Sequence, residues 1–531
     1  MLTNDGILMG KGDSPCILLP NMANRHGLIA GATGTGKTIT LKVMAESFSD
    51  LGVPVFLADI KGDLSGMCKP GEDSEGIRKR LSSLGISDFA FRAYPTRFFD
   101  VYGEGGHPVR TAMSEMGPVL LSRLLDLTPV QAGVLNIVFR IADDRGWLLV
   151  DMKDLRAMLK YVGENAADYT IDNGNVSRQI IGAIQRALLA LDAAGGDLFF
   201  GQPELDIFDW IAQDEAGRGY INILHCARLF QNPILYSTFL LWLLSELFER
   251  LPEAGDLDRP KIVFCFDEAH LLFADAPRAL LQKVEQVVKL IRSKGVGVYF
   301  ITQNPSDIPD PVLAQLGNRV QHALRAYTPA EQKSVRAAAD SFRPNPAFST
   351  EDAILDLGTG EALVSFLDHK GRPSIVERAT ILPPQSDMGM IDAERRKNEI
   401  EASDLYGKYD TVVDPVSAYE NLTGQAAPAE AGTAETDAGQ IEAGKRKSTP
   451  LTHYASESKN SASKKGALTA QDEKEQFAGG GEVPAGNKKK TAKSTKKKKT
   501  YIEKVADSAV STIGRSLGRS LARGIMGLLK N

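Results

Sequence analysis

The chain has 531 residues, 43% of them hydrophobic, and a formal net charge of −5. This length exceeds one ordinary domain and allows a large core, while the charge excludes a globally basic nucleic-acid binder and leaves only local basic patches to consider. With no signal-peptide pattern and no apolar run of membrane-spanning length, we expect a cytoplasmic protein. The cysteines lie far apart without a C-x-x-C pair, so we expect reduced packing residues at Cys16, Cys68, Cys226 and Cys265.

A phosphate-binding loop is predicted at residues 31–38, which fit the pattern G-x-x-x-x-G-K-[ST] between an apolar run and a helical run. Its residues are Gly31, Ala32, Thr33, Gly34, Thr35, Gly36, Lys37 and Thr38. The glycines let backbone N–H groups face phosphate oxygens, and the dipole of the following helix adds to the attraction. We expect Lys37 to reach the β- and γ-phosphates of ATP and Thr38 to bind Mg²⁺.

The region after this loop continues as alternating strands and helices. Strands are predicted at residues 53–59, 89–94 and 220–225. The first ends in Asp59-Ile60-Lys61-Gly62-Asp63-Leu64, whose charges either face the nucleotide or a neighbouring subunit, or form a solvated turn. Between 111 and 215 the apolar residues repeat with a period of 3.6, which predicts a helical subdomain inserted between strands.

A second acidic motif ends the apolar run 261–268. Asp267 is expected to hold Mg²⁺ and Glu268 to polarise the water that attacks the γ-phosphate, as in a Walker B strand. The alternative is a buried strand that ends in a solvated acidic turn. The next strand, 297–303, ends in Gln303, which either senses the γ-phosphate and the attacking water or caps the strand.

Two arginines follow on an edge-like strand, 319–325. Arg319 and Arg325 are both suited to reach phosphate charge, in their own subunit or across an interface. Residues 361–367 and 374–381 are expected to close the sheet as a hairpin.

The C-terminal part changes character. A helical extension is expected at 386–423, and residues 424–499 are too poor in aromatic residues to fold alone, which predicts a disordered linker. Its lysine-rich end, 488–499, is either attractive to nucleic acid or anionic lipid, or a solubilising tail. Residues 500–531 recover helical spacing as an amphipathic helix, which seeks either a protein partner or a membrane surface.

The motifs GATGTGKT, DIKGDLSG, VFCFDEAH and YFITQNPSDIP, in this order with an intervening helical insertion, resemble those of the HerA/FtsK group of P-loop ATPases, and more closely the bacterial YjgR-type HerA-like helicases. The resemblance covers about residues 5–385. It implies an α/β, RecA-like core made of residues 1–110 and 216–385, with ATP and Mg²⁺ as cofactors. It also implies a hexameric ring that moves DNA, with an arginine supplied by the neighbour; Arg319 fits that role, and Arg325 and Arg292 compete for it.

Three functions are compatible with the sequence. The first is an ATP-driven motor acting on DNA, the second a ring ATPase that moves or remodels protein, and the third a regulatory switch with slow hydrolysis. Both motor hypotheses need Glu268, an arginine acting in trans and a ring, whereas the switch does not.

Overall fold

The computed structural model describes residues 1–173, 176–273 and 276–424, all of them within the unit Met1–Glu435. The predicted linker, apart from Gly424, and the predicted terminal helix fall outside these ranges. No helix in the described ranges is long and apolar enough to cross a membrane. The four cysteines are buried and free, as the sequence predicts.

Thirteen strands join in one sheet. They are β1 (Leu2–Thr3), β2 (Gly6–Lys11), β3 (Pro15–Leu18), β4 (Gly27–Ala30), β5 (Val55–Asp59), β6 (Thr96–Asp100), β7 (His107–Pro108), β8 (Ile221–His225), β9 (Ile262–Phe266), β10 (Val296–Thr302), β11 (Asn318–Gln321), β12 (Glu361–Ser365) and β13 (Glu377–Ile381).

The strand order is β1-β2-β13-β12-β11-β4-β10-β9-β5-β8-β6-β7, with β3 beside β2. The eight strands from β11 to β7 in this order pair in parallel, and antiparallel pairs extend the sheet beyond β11. The strand that enters the phosphate loop, β4, therefore neighbours β10, and β10 neighbours the acidic strand β9. This mostly parallel sheet confirms the predicted α/β, RecA-like fold class.

Helices cover both faces of the sheet. They are α1 (Lys37–Asp50), α2 (Glu75–Leu84), α3 (Met113–Leu124), α4 (Pro129–Arg145), α5 (Met152–Glu164), α6 (Ala166–Asn173), α7 (Arg178–Ala193), α8 (Gly196–Phe199), α9 (Pro233–Arg250), α10 (His270–Phe273), α11 (Arg278–Leu290), α12 (Asp310–Leu313), α13 (Pro329–Asp340), α14 (Thr350–Asp356), α15 (Ala393–Glu401) and α16 (Ala418–Thr423).

Successive side chains of the central strands point to opposite faces and build two cores. Phe56 and Phe264 pack in the core that contains the helices of the predicted insertion, together with α9 and α11. Val55 and Val263 point the other way, into the core that contains α1. Helices α3 to α8 lie within residues 111–215, the predicted insertion, and their apolar side chains share a continuous core with the sheet.

Capping residues in the sequence explain where the insertion's helices begin. Thr128, Asp151 and Ser177 precede α4, α5 and α7, and each side chain accepts a hydrogen bond from a backbone N–H of the first turn. These bonds satisfy donors that a helix leaves without intrahelical partners.

Two strand predictions are wrong. Residues 89–94 form no strand, and the strand begins after Pro95, at Thr96. The backbone N–H groups of Arg92 and Tyr94 donate to two separate segments, at the carbonyls of Gln385 and Met67, and therefore not to one neighbouring strand. The strand predicted at 319–325 as edge-like is β11, which ends at Gln321 and lies inside the sheet between β4 and β12.

The predicted extension, 386–423, is helical only in α15 and α16. The rest consists of turns and loops that are tied to the main body by ion pairs. Arg97 Nε donates to Asp404 Oδ1 over 2.9 Å, and Lys153 Nζ lies 2.8 Å from Asp414 Oδ1. The extension therefore belongs to the folded body.

Candidate active site

The carboxyl ends of four neighbouring parallel strands bring the predicted site residues to one edge of the sheet. Ala58 of β5 pairs with Phe266 of β9, Phe266 with Phe300 of β10, and Thr302 of β10 with Ala30 of β4. Each strand is followed at once by polar residues of the motifs. An edge of this kind is where open α/β sheets bind ligands.

The phosphate loop has the backbone that its glycines allow. Gly31, Gly34 and Gly36 have φ values of 153°, 78° and 119°, a region that other residues rarely adopt. A Cβ on Gly31 would lie 2.5 Å from the Cβ of His322, so a side chain does not fit there. Thr35 closes the loop by donating from Oγ1 to the carbonyl of Ala32 over 2.7 Å.

Lys37 and Thr38 open helix α1, which begins within the predicted loop motif. Lys37 Nζ donates to the carbonyl oxygens of Gly31 (2.7 Å) and Ala32 (3.1 Å), and burial lowers its pKa although Glu268 and Asp267 act against the shift. The ammonium thus stands inside the loop. Thr38, half-buried in the first turn, completes the motif at the positive end of the helix dipole.

Asp267 and Glu268 follow β9 and are both 4% exposed. Asp267 Oδ1 accepts the backbone N–H of Glu268 over 2.8 Å. Glu268 has a φ of 47°, uncommon for a residue other than glycine, and such strain persists where the surrounding structure imposes it. Burial favours protonation, but hydrogen bonds from Lys61 and Gln303 outweigh it and lower the pKa of Glu268. The carboxylate is therefore ionised and oriented.

Gln303 follows β10 and donates from Nε2 to Glu268 Oε2 over 3.3 Å. The amide thus contacts the carboxylate that is expected to polarise water. The position between β4 and β9 suits a group that responds to the γ-phosphate.

Further carboxylates at this edge of the sheet indicate whether Mg²⁺ could bind there. Asp59 Oδ2 and Asp63 Oδ1 are buried without hydrogen-bond partners. Burial, Asp63 and Asp267 raise the pKa of Asp59 to about 7, and burial, Glu268 and Asp63 raise the pKa of Asp267 to about 6. This excess of negative charge fits a divalent cation. Within the described ranges, no group of three or more His, Cys, Asp or Glu could hold a metal by itself.

A site with few protein ligands is typical of Mg²⁺ bound together with a nucleotide. The ion binds through one or two protein groups and takes its other ligands from phosphate and water. Thr38 and Asp267 would hold it. When bound, Mg²⁺ neutralises negative charge on the phosphates.

The three candidate arginines have different surroundings. Arg319 donates to the carbonyl oxygens of Leu316 (3.0 Å), Leu313 (3.2 Å) and Ser341 (3.3 Å), so its guanidinium is engaged within its own chain. Arg292 lies just before β10, at the opposite edge of the sheet from the phosphate loop, and pairs with Asp256.

Arg325 is exposed and follows β11. Two residues before it, the carbonyl of Ala323 accepts the N–H of Ala32 in the phosphate loop over 2.8 Å. Arg325 is the best placed of the three to contact a neighbouring subunit, and its role stays a prediction.

Three more residues contact the site: His322 and Arg80, for which the sequence predicts no role, and Lys61, which belongs to the charged segment 59–64. His322 lies behind the loop, where Nε2 is 2.8 Å from Thr40 Oγ1 and Nδ1 is 2.9 Å from the carbonyl of Glu361. Burial lowers the pKa of His322 to about 4, so it is neutral. No motif identifies this histidine, because its partners are distant in the chain.

Arg80 supports the loop from the outside. It donates to the carbonyl oxygens of Gly360 (2.9 Å), Thr359 (3.0 Å) and Ile381 (3.2 Å), while the N–H of Gly360 donates to the carbonyl of Thr35 over 2.9 Å. The third residue, Lys61, forms an ion pair with Glu268. It stands in the charged segment 59–64, whose charges the sequence predicts either to face the nucleotide or a neighbouring subunit, or to form a solvated turn.

The chain is similar in sequence to a family of helicases. The family model described as "Helicase HerA-like C-terminal" matches residues 6–531. The chain is 25% identical over 367 residues to the DNA double-strand break repair helicase HerA of Sulfolobus acidocaldarius, an alignment that covers 68% of this chain and 66% of the relative. The chain thus spans slightly less than two thirds of that relative's length.

Solved structures of similar fold include the conjugative coupling protein TrwB without its first segment, with a TM-score of 0.48, 14% identity, and coverage of 73% of this chain and 93% of that one. TrwB in complex with ADP and Mg²⁺ has a TM-score of 0.47, 14% identity and coverage of 74% and 94%. VirB4 of Thermoanaerobacter pseudethanolicus has a TM-score of 0.45, 16% identity and coverage of 72% and 97%.

Proposed function

The chain belongs to the HerA-like helicase family, and on that premise we propose that it is an ATP-hydrolysing motor that acts on DNA as a ring. The observation that carries the proposal is the meeting of Lys37, Asp267, Glu268 and Gln303 at the carboxyl ends of β4, β9 and β10. These groups match the needs of phosphoryl transfer to water, in which positioning and charge stabilisation supply most of the catalysis.

Each residue has a defined part in hydrolysis. The loop N–H groups and Lys37 bind the phosphates, and Lys37 exchanges its bonds with Gly31 and Ala32 for phosphate oxygens. Glu268 orients the attacking water and accepts its proton, and Gln303 holds Glu268 and the water in line.

DNA is the favoured substrate because the aligned relative is named as a DNA repair helicase. The assembly we propose is a hexamer in which Arg325 of one subunit approaches the phosphates bound by the next. Such an arginine stabilises the charge that develops during transfer. A ring ATPase that moves protein and a slow regulatory switch are the alternatives.

ATP turnover with and without DNA separates these functions. Phosphate release is measured with no polymer, with double-stranded DNA and with single-stranded DNA, and Lys37→Ala supplies the background rate. Stimulation by DNA of the wild type alone supports a DNA motor. Turnover above background that no DNA changes would favour the protein-moving function, and turnover near background throughout would favour the switch.

A further inference from the structure

Lys61 reaches the proposed catalytic carboxylate from the strand beside it. Strand β5 pairs with β9 so that Ala58 stands opposite Phe266, and Asp59 therefore follows at the level of Asp267. Two residues further on, Lys61 Nζ forms a direct ion pair with Glu268 Oε1. The pair joins residues 207 positions apart and bridges two motifs.

The carboxylate has donors on both oxygens. Lys61 occupies Oε1, while Oε2 accepts Gln303 Nε2 at 3.3 Å and has His270 Nδ1 at the same distance. Glu268 is 4% exposed, so its carboxylate is shielded from solvent in this arrangement. An ammonium on Oε1 occupies and neutralises the atom that would otherwise draw a proton from water. In this arrangement Glu268 is not free to accept a proton from the attacking water.

The two side chains of this ion pair differ in their exposure to solvent. The Lys61 side chain is 50% exposed, whereas Glu268 is buried. Lys61 precedes Gly62, whose φ is 87° and whose N–H donates to Asp59 Oδ1 over 2.7 Å, so the backbone of this turn is fixed. The pair can therefore open by motion of the lysine side chain alone, which can leave toward solvent while the carboxylate stays in place.

We propose that Lys61 is a latch on Glu268, which suppresses ATP turnover until the lysine side chain is drawn from the carboxylate. This inference rests on the proposed hydrolysis of ATP. Lys61 is a positioning residue in this account, since it acts through Glu268.

The test compares kcat and KM for ATP, without polymer, in the wild type, Lys61→Met and Lys61→Arg. Lys61→Met should raise kcat about fivefold, the order expected from removing a half-exposed ion pair, with KM within about twofold. Lys61→Arg keeps the cation and should keep the low rate. A matched control is Lys289→Met, which removes an exposed lysine paired with Glu285 on α11 and should leave kcat unchanged.

A gain in turnover cannot result from a damaged fold, which makes the direction of the effect decisive. An unchanged or lower kcat in Lys61→Met would overturn the latch, and a fluorescent ATP analogue would show that this variant still binds nucleotide. If the wild type and Lys61→Met both turn over ATP no faster than Lys37→Ala, the proposed hydrolysis itself fails. If Lys61→Met is faster but DNA stimulates nothing, the latch stands and the DNA assignment fails.

Discussion

Substitution of Glu268 should lower ATP turnover, whereas substitution of Lys37 should lower the affinity for ATP. Glu268→Gln keeps the shape of the side chain and an oxygen for the bond from Gln303. It cannot accept a proton from water, so turnover should fall about 10²- to 10⁴-fold, the usual contribution of a general base. The affinity for ATP should change by less than about threefold, because the carboxylate acts on the attacking water and not on the bound phosphates.

Lys37→Ala should instead weaken binding. A hydrogen bond to a charged group contributes about 1.5–3 kcal/mol, which corresponds to about a 10- to 150-fold rise in the Kd for ATP. The buried ammonium also donates to Gly31 and Ala32, so its loss leaves carbonyl oxygens without that donor. We therefore expect a small decrease in thermal stability as well.

Both variants are assayed by titration with a fluorescent ATP analogue, by phosphate release and by thermal unfolding. Turnover of Glu268→Gln within about threefold of the wild type would remove this residue as the general base. Unchanged ATP affinity in Lys37→Ala, with the fold intact, would mean that the phosphates bind elsewhere.

Other consequences can be measured with the same assays. If Arg325 acts across an interface, mixing Arg325→Ala with Glu268→Gln chains should restore turnover, since such an arginine contributes about 10³-fold or more; no recovery in mixed rings would argue against it. Arg80→Ala should raise the KM for ATP about tenfold, with partial rescue by Arg80→Lys; an unchanged KM would show that the loop does not need this support. A chain ending at Gly424 should keep basal turnover, whereas one ending near residue 410 should unfold at least ~2 °C lower; equal melting temperatures would contradict the role of the extension.

The last of these expectations comes from the structure alone. A cut near residue 410 removes Asp414, which pairs with Lys153, and Ser417, which donates to Asp154. Composition predicts where the chain stops resembling a folded domain, but it does not show that loops before that point are tied to the core.

The sequence indicates where the candidate nucleotide-binding residues lie because the requirements of such a site are local. A phosphate loop needs glycines, a lysine and a hydroxyl at fixed spacing between a strand and a helix, and residues 27–50 supply all of these in order. The same holds for Asp267 and Gln303, since each follows directly on an apolar strand. The alternation of side chains in Val55–Asp59 likewise follows from strand geometry.

The residues that contact the site from distant parts of the chain could not be found in this way. Lys61, Arg80 and His322 contact the site through partners that lie 207, 280 and 282 positions away in the chain. Such pairs depend on which strands become neighbours, and hydrophobic periodicity does not contain strand order. The strand misplaced at 89–94 has a similar origin, because the backbone N–H groups of Arg92 and Tyr94 have their partners in two segments that are distant in the chain.

Movement along DNA is what distinguishes the proposed DNA motor from an ATPase that only binds DNA. A labelled third strand is bound to a DNA duplex, and its release is followed with wild type, Glu268→Gln and Lys37→Ala in the presence of ATP. Only the wild type should release the third strand, and it should release none when ATP is replaced by a non-hydrolysable analogue. A wild-type protein that hydrolyses ATP in the presence of the duplex but never displaces the third strand would contradict the claim that this chain is a DNA motor.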